Sequence, residues 1–207
     1  MTRLPLHKVV TVSRLSPAQL RFQAADVWGA SPPRFMQQVR GIWSALRQWE
    51  FGLDKSIDGM LRCVRAVRPD NPEIRKGETA NLWASRYYFY RRRFAWRVYV
   101  VNAMGLSYMV GRQRVGVNYH LYYEDDDACG YVYVKHGEDW EEDDAVSALS
   151  CIRGYHESTM LFQEKPVEYR YVSIYDDHDV ILRDGEYCRW VKQFYPKAQI
   201  MHESDNA

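Results

Sequence analysis

The first 86 residues contain no tyrosine; all 16 tyrosines lie from Tyr87 onward. Tyrosine suits half-buried sheet positions, because the ring packs while the hydroxyl reaches water. The imbalance therefore points to sheet in the back portion, and the same property makes an interface built from some of these rings the alternative. Cysteine is scarce. Cys63, Cys129, Cys151 and Cys188 form no CxxC pair, which removes the tight-turn ligand pairs that structural zinc normally uses. Reduced thiols in a cytoplasmic chain are expected. Cys151 with His136 or His156 is a pairing that any chain with four cysteines and six histidines offers.

Long apolar runs are also missing. The longest weakly polar stretch, Val98 to Gly111, includes Asn102 and Ser107 and falls short of the ~20 residues a bilayer needs. The opening MTRLPLHKVVTV lacks the apolar segment of a secretory signal, so no membrane partner is expected. No GxSxG, HExxH, P-loop or dinucleotide glycine fingerprint occurs, and neither does an internal repeat or a low-complexity tract. No metal and no cofactor is expected from these patterns.

What the chain does have is segregated charge. Residues 1–103 hold 18 Lys+Arg against 7 Asp+Glu, and residues 104–207 hold 10 against 20. The halves thus carry +11 and −10, which add to the net +1 of the whole. Such a split points to a charged partner or to self-complementation, including a homo-oligomer in which one copy's basic half meets its neighbour's acidic half.

The boundary falls in Arg86 to Val101, RYYFYRRRFAWRVYVV. From Phe94 the pattern alternates, with Phe94, Trp96, Val98 and Val100 on one side and Arg93, Arg97 and Tyr99 on the other. A half-buried strand needs that period of two. Before it, Lys8 to Val12 reads as a short strand. Ser16-Pro17-Ala18-Gln19 has capping-box spacing and opens a helix through Leu20, Ala24, Val27 and Trp28 to Gly29. A second start at Ser31-Pro32-Pro33 leads into Phe35, Val39, Ile42, Trp43, Leu46 and Trp49, stopped at Gly52. A third helix carries Ile57, Met60, Leu61, Val64 and Val67, with residues 69–77 as a linker. Glu78 to Arg92 reads as about three helical turns passing into strand near Arg93.

Beyond Gly105 the strand signals strengthen: Leu106 to Val110, Val115 to Tyr123, and Tyr131 to Val134 form an antiparallel meander. A helix from Asp139 carries Val146, Leu149 and Ile152 to a stop at Gly154. Val167 to Tyr175, Val180 to Leu182 and Tyr187 to Val191 read as strands, the last two about a hairpin turn at Asp184-Gly185. His202 to Ala207 read as a frayed end. The expected class is α+β. An N-terminal helical layer over 1–77 precedes a mainly antiparallel sheet with one inserted helix over 78–207, as two regions or one continuous domain.

Three groups of residues are candidates for a site. The acidic clusters Glu124, Asp125, Asp126, Asp127 and Glu138, Asp139, Glu141, Glu142, Asp143, Asp144 could imitate a phosphate backbone and occupy a groove lined with Lys and Arg. The bland alternative for the second cluster is a solvated face that satisfies the helix dipole. Arg91, Arg92, Arg93 and Arg97, with Tyr88 and Tyr90 (and Tyr87 nearby), supply phosphate contacts and stacking planes for nucleic acid. The alternative there is pairing with the chain's own acidic half. Asp176, Asp177, His178 and Asp179 could hold Mg²⁺ or Mn²⁺ for phosphodiester hydrolysis, but Asp and His are also ordinary turn formers. With catalytic signatures absent, the sequence favours a non-catalytic binding protein whose partner is a protein or nucleoprotein complex. An inhibitor of a nucleic-acid-handling machine, anti-CRISPR-like in type only, is the concrete version. A metal-dependent nuclease and a direct RNA- or DNA-binding protein are the alternatives.

Overall fold

A computed structural model describes residues 2–30, 40–66, 78–135, 140–159, 164–174 and 178–205. The first element corrects an expectation: Leu6–Arg14 is a helix, α1, and not a strand from Lys8. The valine-rich VVTV segment has strand propensity. Yet Leu6, Val9 and Val10 stand at helical spacing, and burying them together with Val12 overrides it. Pro5, which lacks an N–H, precedes the helix, and its carbonyl accepts from the N–H groups of Lys8 and Val9 at 2.9 and 3.0 Å.

Helix α2, Pro17–Gly29, starts as the sequence reads. Ser16 Oγ accepts from the Gln19 N–H, and the Gln19 side chain accepts from the Ser16 N–H. Helices α3 (Arg40–Phe51), α4 (Ile57–Ala66) and α5 (Glu78–Arg91) follow. The Ser31-Pro32-Pro33 start, Phe35, Val39, Val67 and the 69–77 linker lie outside the described residues. Helix α5 ends at Arg91, close to the expected change near Arg93, and keeps Tyr87 to Tyr90 helical. Tyr87 and Tyr90, three apart on one helix face, are both buried, and Tyr87 stacks on Trp83 with centroids 5.6 Å apart.

A turn through Arg92 to Trp96 follows, so strand β1 begins at Arg97, later than expected, and ends at Val110. The alternation nevertheless survives: Phe94, Trp96, Val98 and Val100 turn inward, while Arg93, Arg97 and Tyr99 are exposed. Strands β2 (Gln113–Glu124) and β3 (Cys129–Lys135) complete the meander. Helix α6, Glu142–Thr159, passes through Gly154 instead of stopping there, and returns the chain to β4, Val167–Ser173, parallel to β3. Strand β5, His178–Ile181, is antiparallel to β4 and closes the order β1-β2-β3-β4-β5. The chain is thus α+β, with helices preceding a mostly antiparallel sheet.

A further helix, α7 (Asp184–Asp205), was not foreseen; it replaces the expected hairpin turn and the strand at Tyr187 to Val191. Asp184-Gly185 lies in its first turn, where Glu186 Oε2 accepts from the Arg183 N–H at 2.9 Å. Trp190, Phe194, Ala198 and Met201 repeat at helical spacing along its buried side. Its end is tied down, since an Asp205 carboxylate oxygen accepts from the Thr2 N–H at 2.6 Å. His202 to Asp205 are therefore helical and not frayed.

Helices cover both faces of the sheet. Residues of α1, α2, α6 and α7 pack with Val115, Val117, Tyr119, Tyr131, Tyr169 and Tyr171. On the other face α3, α4 and α5 pack with Trp96, Val101, Leu121, Tyr123, Val132, Val134 and Val172. Strand β2 changes face between Tyr119 and Leu121, and His120 stacks on Trp43 of α3 at 4.2 Å. Opposite this break Asn102 has φ 57°, between Val101 and Ala103, the partners of Leu121 and Tyr119; the β1 register then shifts between Ala103 and Leu106. No described helix is long and apolar enough to cross a membrane.

Candidate functional site

The Arg-rich stretch forms the turn from α5 into β1, and its members take different parts. Arg91 is the last residue of α5. Its Nε donates to Glu50 Oε1 at 2.9 Å, and its Nη atoms donate to the carbonyls of Phe94 and Trp96. Tyr87 Oη donates to the same Glu50 oxygen at 2.8 Å, and burial together with this carboxylate pushes the phenol's pKa well up. Arg91 is therefore a structural pillar. Arg92 is exposed and makes no ion pair among the described residues. Arg93 lies over the rings of Tyr90 and Phe94 at 5.4 and 5.9 Å. Arg97 is exposed; a hydrogen bond with Tyr99 is the main cause raising its pKa, with Glu124 and Asp126 adding to it.

The aromatic side chains of this stretch are mostly consumed by the core. Trp96 lies between Phe94 at 4.1 Å and Tyr123 at 4.0 Å. Tyr90 is buried and donates to Asp179 Oδ2 at 3.3 Å; burial first, then the Asp179 charge, raises its pKa. Tyr88 is half-buried against Trp49 and Phe89. Stacking planes for bases are thus few, whereas cationic tips remain. Sequence reasoning missed the neighbour that completes the group. Lys55 follows α3 and donates to the carbonyls of Trp49 (2.9 Å) and Glu50. With Arg91, Arg92, Phe94, Trp96 and Arg97, it lines a cleft of about 490 Å³ between the end of α3 and the start of β1. A cation just past a helix end is the only local signal that could have marked Lys55.

The structure separates the two acidic clusters. Glu124 ends β2, and Asp125 makes the turn into β3, its Oδ1 accepting from the N–H groups of Asp127 and Ala128. The turn sits beside the basic stretch, since Glu124 is the strand partner of Arg97 and Lys165 Nζ donates to the Asp125 carbonyl. The second cluster lies past the far end of β3, roughly 20 Å away along a seven-residue strand. Glu138 and Asp139 are outside the described residues. Glu141, Glu142 and Asp143 are exposed at the amino end of α6, where the helix dipole favours them. Asp144 is buried and accepts from Arg14, Nε to Oδ1 at 2.6 Å. These four acidic residues, with Arg14, Glu186, Arg189 and Lys197, line a groove of about 600 Å³. Arg14 is the contributor that no local pattern indicated.

Of the Asp/His group, Asp176 and Asp177 lie outside the described residues. His178 is exposed at the start of β5. Asp179 is half-buried, accepting from Arg170 Nη1 at 3.0 Å and from Tyr90. Among the described residues, no three His, Cys, Asp or Glu side chains are grouped so as to hold a metal ion. Cys151 is buried, and desolvation pushes its thiol pKa far up, which suits packing and not nucleophilic attack. Compared with known proteins, the chain matches no family model and no curated sequence.

Proposed function

We propose that the chain is a non-catalytic macromolecule-binding protein whose acidic rim at the amino end of α6 meets a protein or nucleoprotein complex that handles nucleic acid. The observation that carries this reading is the exposure of Glu141, Glu142 and Asp143 around one groove, with Asp144 beneath them tied to Arg14. Three neighbouring carboxylates present charge as a phosphate backbone does, and a channel lined with Lys and Arg is the natural complement. Arg14 gives its hydrogen bonds to the buried Asp144, and Glu141 acts on it through charge alone. An inhibitor that fills such a channel is the concrete form, anti-CRISPR-like by analogy of type alone.

The test is affinity capture from the native host with three baits: the unaltered protein, Glu141→Lys/Glu142→Lys/Asp143→Lys, and Arg92→Glu/Arg97→Glu. A nucleic-acid-handling complex should come down with the first and third baits and be lost from the second. The same proteins captured by all three baits would refute the reading.

A second reading, direct RNA or DNA binding through Arg92, Arg93 and Arg97, is favoured by one observation. Their turn flanks a cleft whose exposed cations include Lys55, Arg92 and Arg97. It requires an affinity that falls steeply as salt rises. Binding that is flat with salt, or undetectable at low salt, removes it.

A further inference from the structure

The cleft between the end of α3 and the start of β1 has the volume of a small-ligand site, about 490 Å³. Its charge can be counted. Lys55, Arg91, Arg92 and Arg97 line it against one carboxylate, Glu50, leaving +3. Two helix carboxyl ends, those of α3 and α5, abut it and contribute about half a negative charge each, so about +2 remains. That complements a phosphate monoester, which carries about −1.5 to −2 near pH 7.

The donors are arranged, not merely present. Lys55 Nζ is held by the Trp49 and Glu50 carbonyls, which use two of its three N–H groups and leave one to point elsewhere. Its position also lies within cation–π range of Trp49, 5.3 Å from the ring centroid. Burial, with Arg91 adding to it against Glu50, lowers the Lys55 pKa, and an anion bound beside it would oppose that shift. The Arg91–Glu50 pair fixes the wall between the two helix ends. Phe94, Ala95 and Val98 give the remaining lining an apolar character, larger than a bare phosphate would use.

We infer that this cleft binds a nucleoside 5′-phosphate, its phosphate held by Lys55, Arg92 and Arg97 and its nucleoside laid against the Phe94 side. The same chemistry is found on a free mononucleotide and on the 5′-phosphorylated end of a nucleic-acid strand. The inference is independent of the acidic-rim reading and needs no macromolecular partner.

Calorimetric titration of the full chain at low salt tests it, with AMP, adenosine, inorganic phosphate, and one short single-stranded oligonucleotide in 5′-phosphorylated and 5′-hydroxyl forms. AMP should bind at least about tenfold more tightly than adenosine, the difference expected of charge-assisted contacts. If the strand end is the source, the phosphorylated oligonucleotide outbinds its hydroxyl form and AMP alike; if the free nucleotide is, AMP outbinds both. Arg92→Ala, at an exposed position, and Lys55→Met should each weaken AMP about tenfold or more, while Glu142→Lys leaves it unchanged. Equal binding of AMP and adenosine, inorganic phosphate binding as tightly as AMP, or affinity indifferent to both Arg92→Ala and Lys55→Met overturns the inference.

Discussion

On the face covered by α3, α4 and α5, Glu50 is buried together with its partner, the side chains of Glu50 and Arg91 keeping 3% and 12% exposure. On the face covered by α1, α2, α6 and α7, Asp144 is equally buried at 3%, but Arg14 keeps 60%. The first pair has lost water on both sides and is offset by added hydrogen bonds from Tyr87 and to two carbonyls. The second remains open to solvent and screening through its arginine. A pair of the first kind is expensive to break, because the survivor is a charge stranded with no route to water; in the second, water can take the place of the exposed Arg14 guanidinium beside Asp144, which lowers the cost. The difference bears on function. The turn at Arg91 is fixed by a pillar whose charge is already spent on Glu50, while the rim at Asp144 is held by a residue whose guanidinium stays largely in solvent.

The largest effect that tests this comparison is removal of Glu50. Glu50→Ala should cost about 3–5 kcal/mol in urea unfolding, because Arg91 is left unpaired in the core. Replacing both, Glu50→Leu with Arg91→Leu, should cost less than the single change. A double variant as unstable as the single one would show that the charge is not what matters. The next effect lies on the opposite face. Gly154 sits in the middle of α6, where Gly→Ala ordinarily gains about 1 kcal/mol. Here an added Cβ would meet the Tyr108 hydroxyl at 2.5 Å and its ring at 2.7 Å. Gly154→Ala should therefore lose about 1–3 kcal/mol. Gly29→Ala, at the end of α2 with nothing within 4 Å, should gain a little.

These contacts also show where sequence reading ends. Helix α2 was legible because its start is written locally in Ser16 and Gln19. Helix α1 was not, because strand propensity in Val9 to Val12 lost to burial against elements more than a hundred residues away. Helix α7 was misread for a related reason: Asp184-Gly185 serves a hairpin or a helix start equally well, and only the length of the Trp190 to Met201 repeat decides. The basic stretch was visible as charge. That Arg91 would spend its charge on Glu50 was not, since the two are 41 positions apart. The cleft was invisible for the same reason, with Lys55 joining Arg92 and Arg97 only through the packing of α3 on α5. Arg14 and Asp144, 130 positions apart, could not be paired from any local pattern.

Acid sharpens the comparison between faces. His120 lies on the α3 side, stacked on Trp43 and near Tyr133, with Nδ1 accepting from the Val134 N–H at 2.9 Å. Burial lowers its pKa from 6.5 to about 3. A depressed histidine is neutral in the fold while the unfolded chain takes up the proton. Its contribution is therefore whole above about pH 6.5 and declines as the pH falls toward 3, by about 1.4 kcal/mol per pH unit. Between pH 6.5 and 5 this amounts to about 2 kcal/mol, and His120→Phe should flatten the slope. On the other face the His156 pKa is lowered as well, by burial first and by Arg153, with Glu157 opposing. His156→Phe should therefore remove a separate part of the same acid loss. A slope unchanged in both variants would place the loss in the carboxylates.

The smallest effect belongs to the rim pair. Arg14→Ala should cost about 1 kcal/mol, because water can reach the Asp144 carboxylate once the guanidinium is gone. Its use is diagnostic for that reason. The variant removes one positive charge from the groove that holds Glu141, Glu142 and Asp143 and leaves the fold standing. If those carboxylates face a cationic partner, Arg14→Ala should bind that partner more tightly at low salt, with the gain shrinking as salt rises over a Debye length of about 10 Å at 0.1 M. Weaker binding at every salt concentration would mean that the partner touches Arg14 itself, and the rim would then have to be read as mixed in charge.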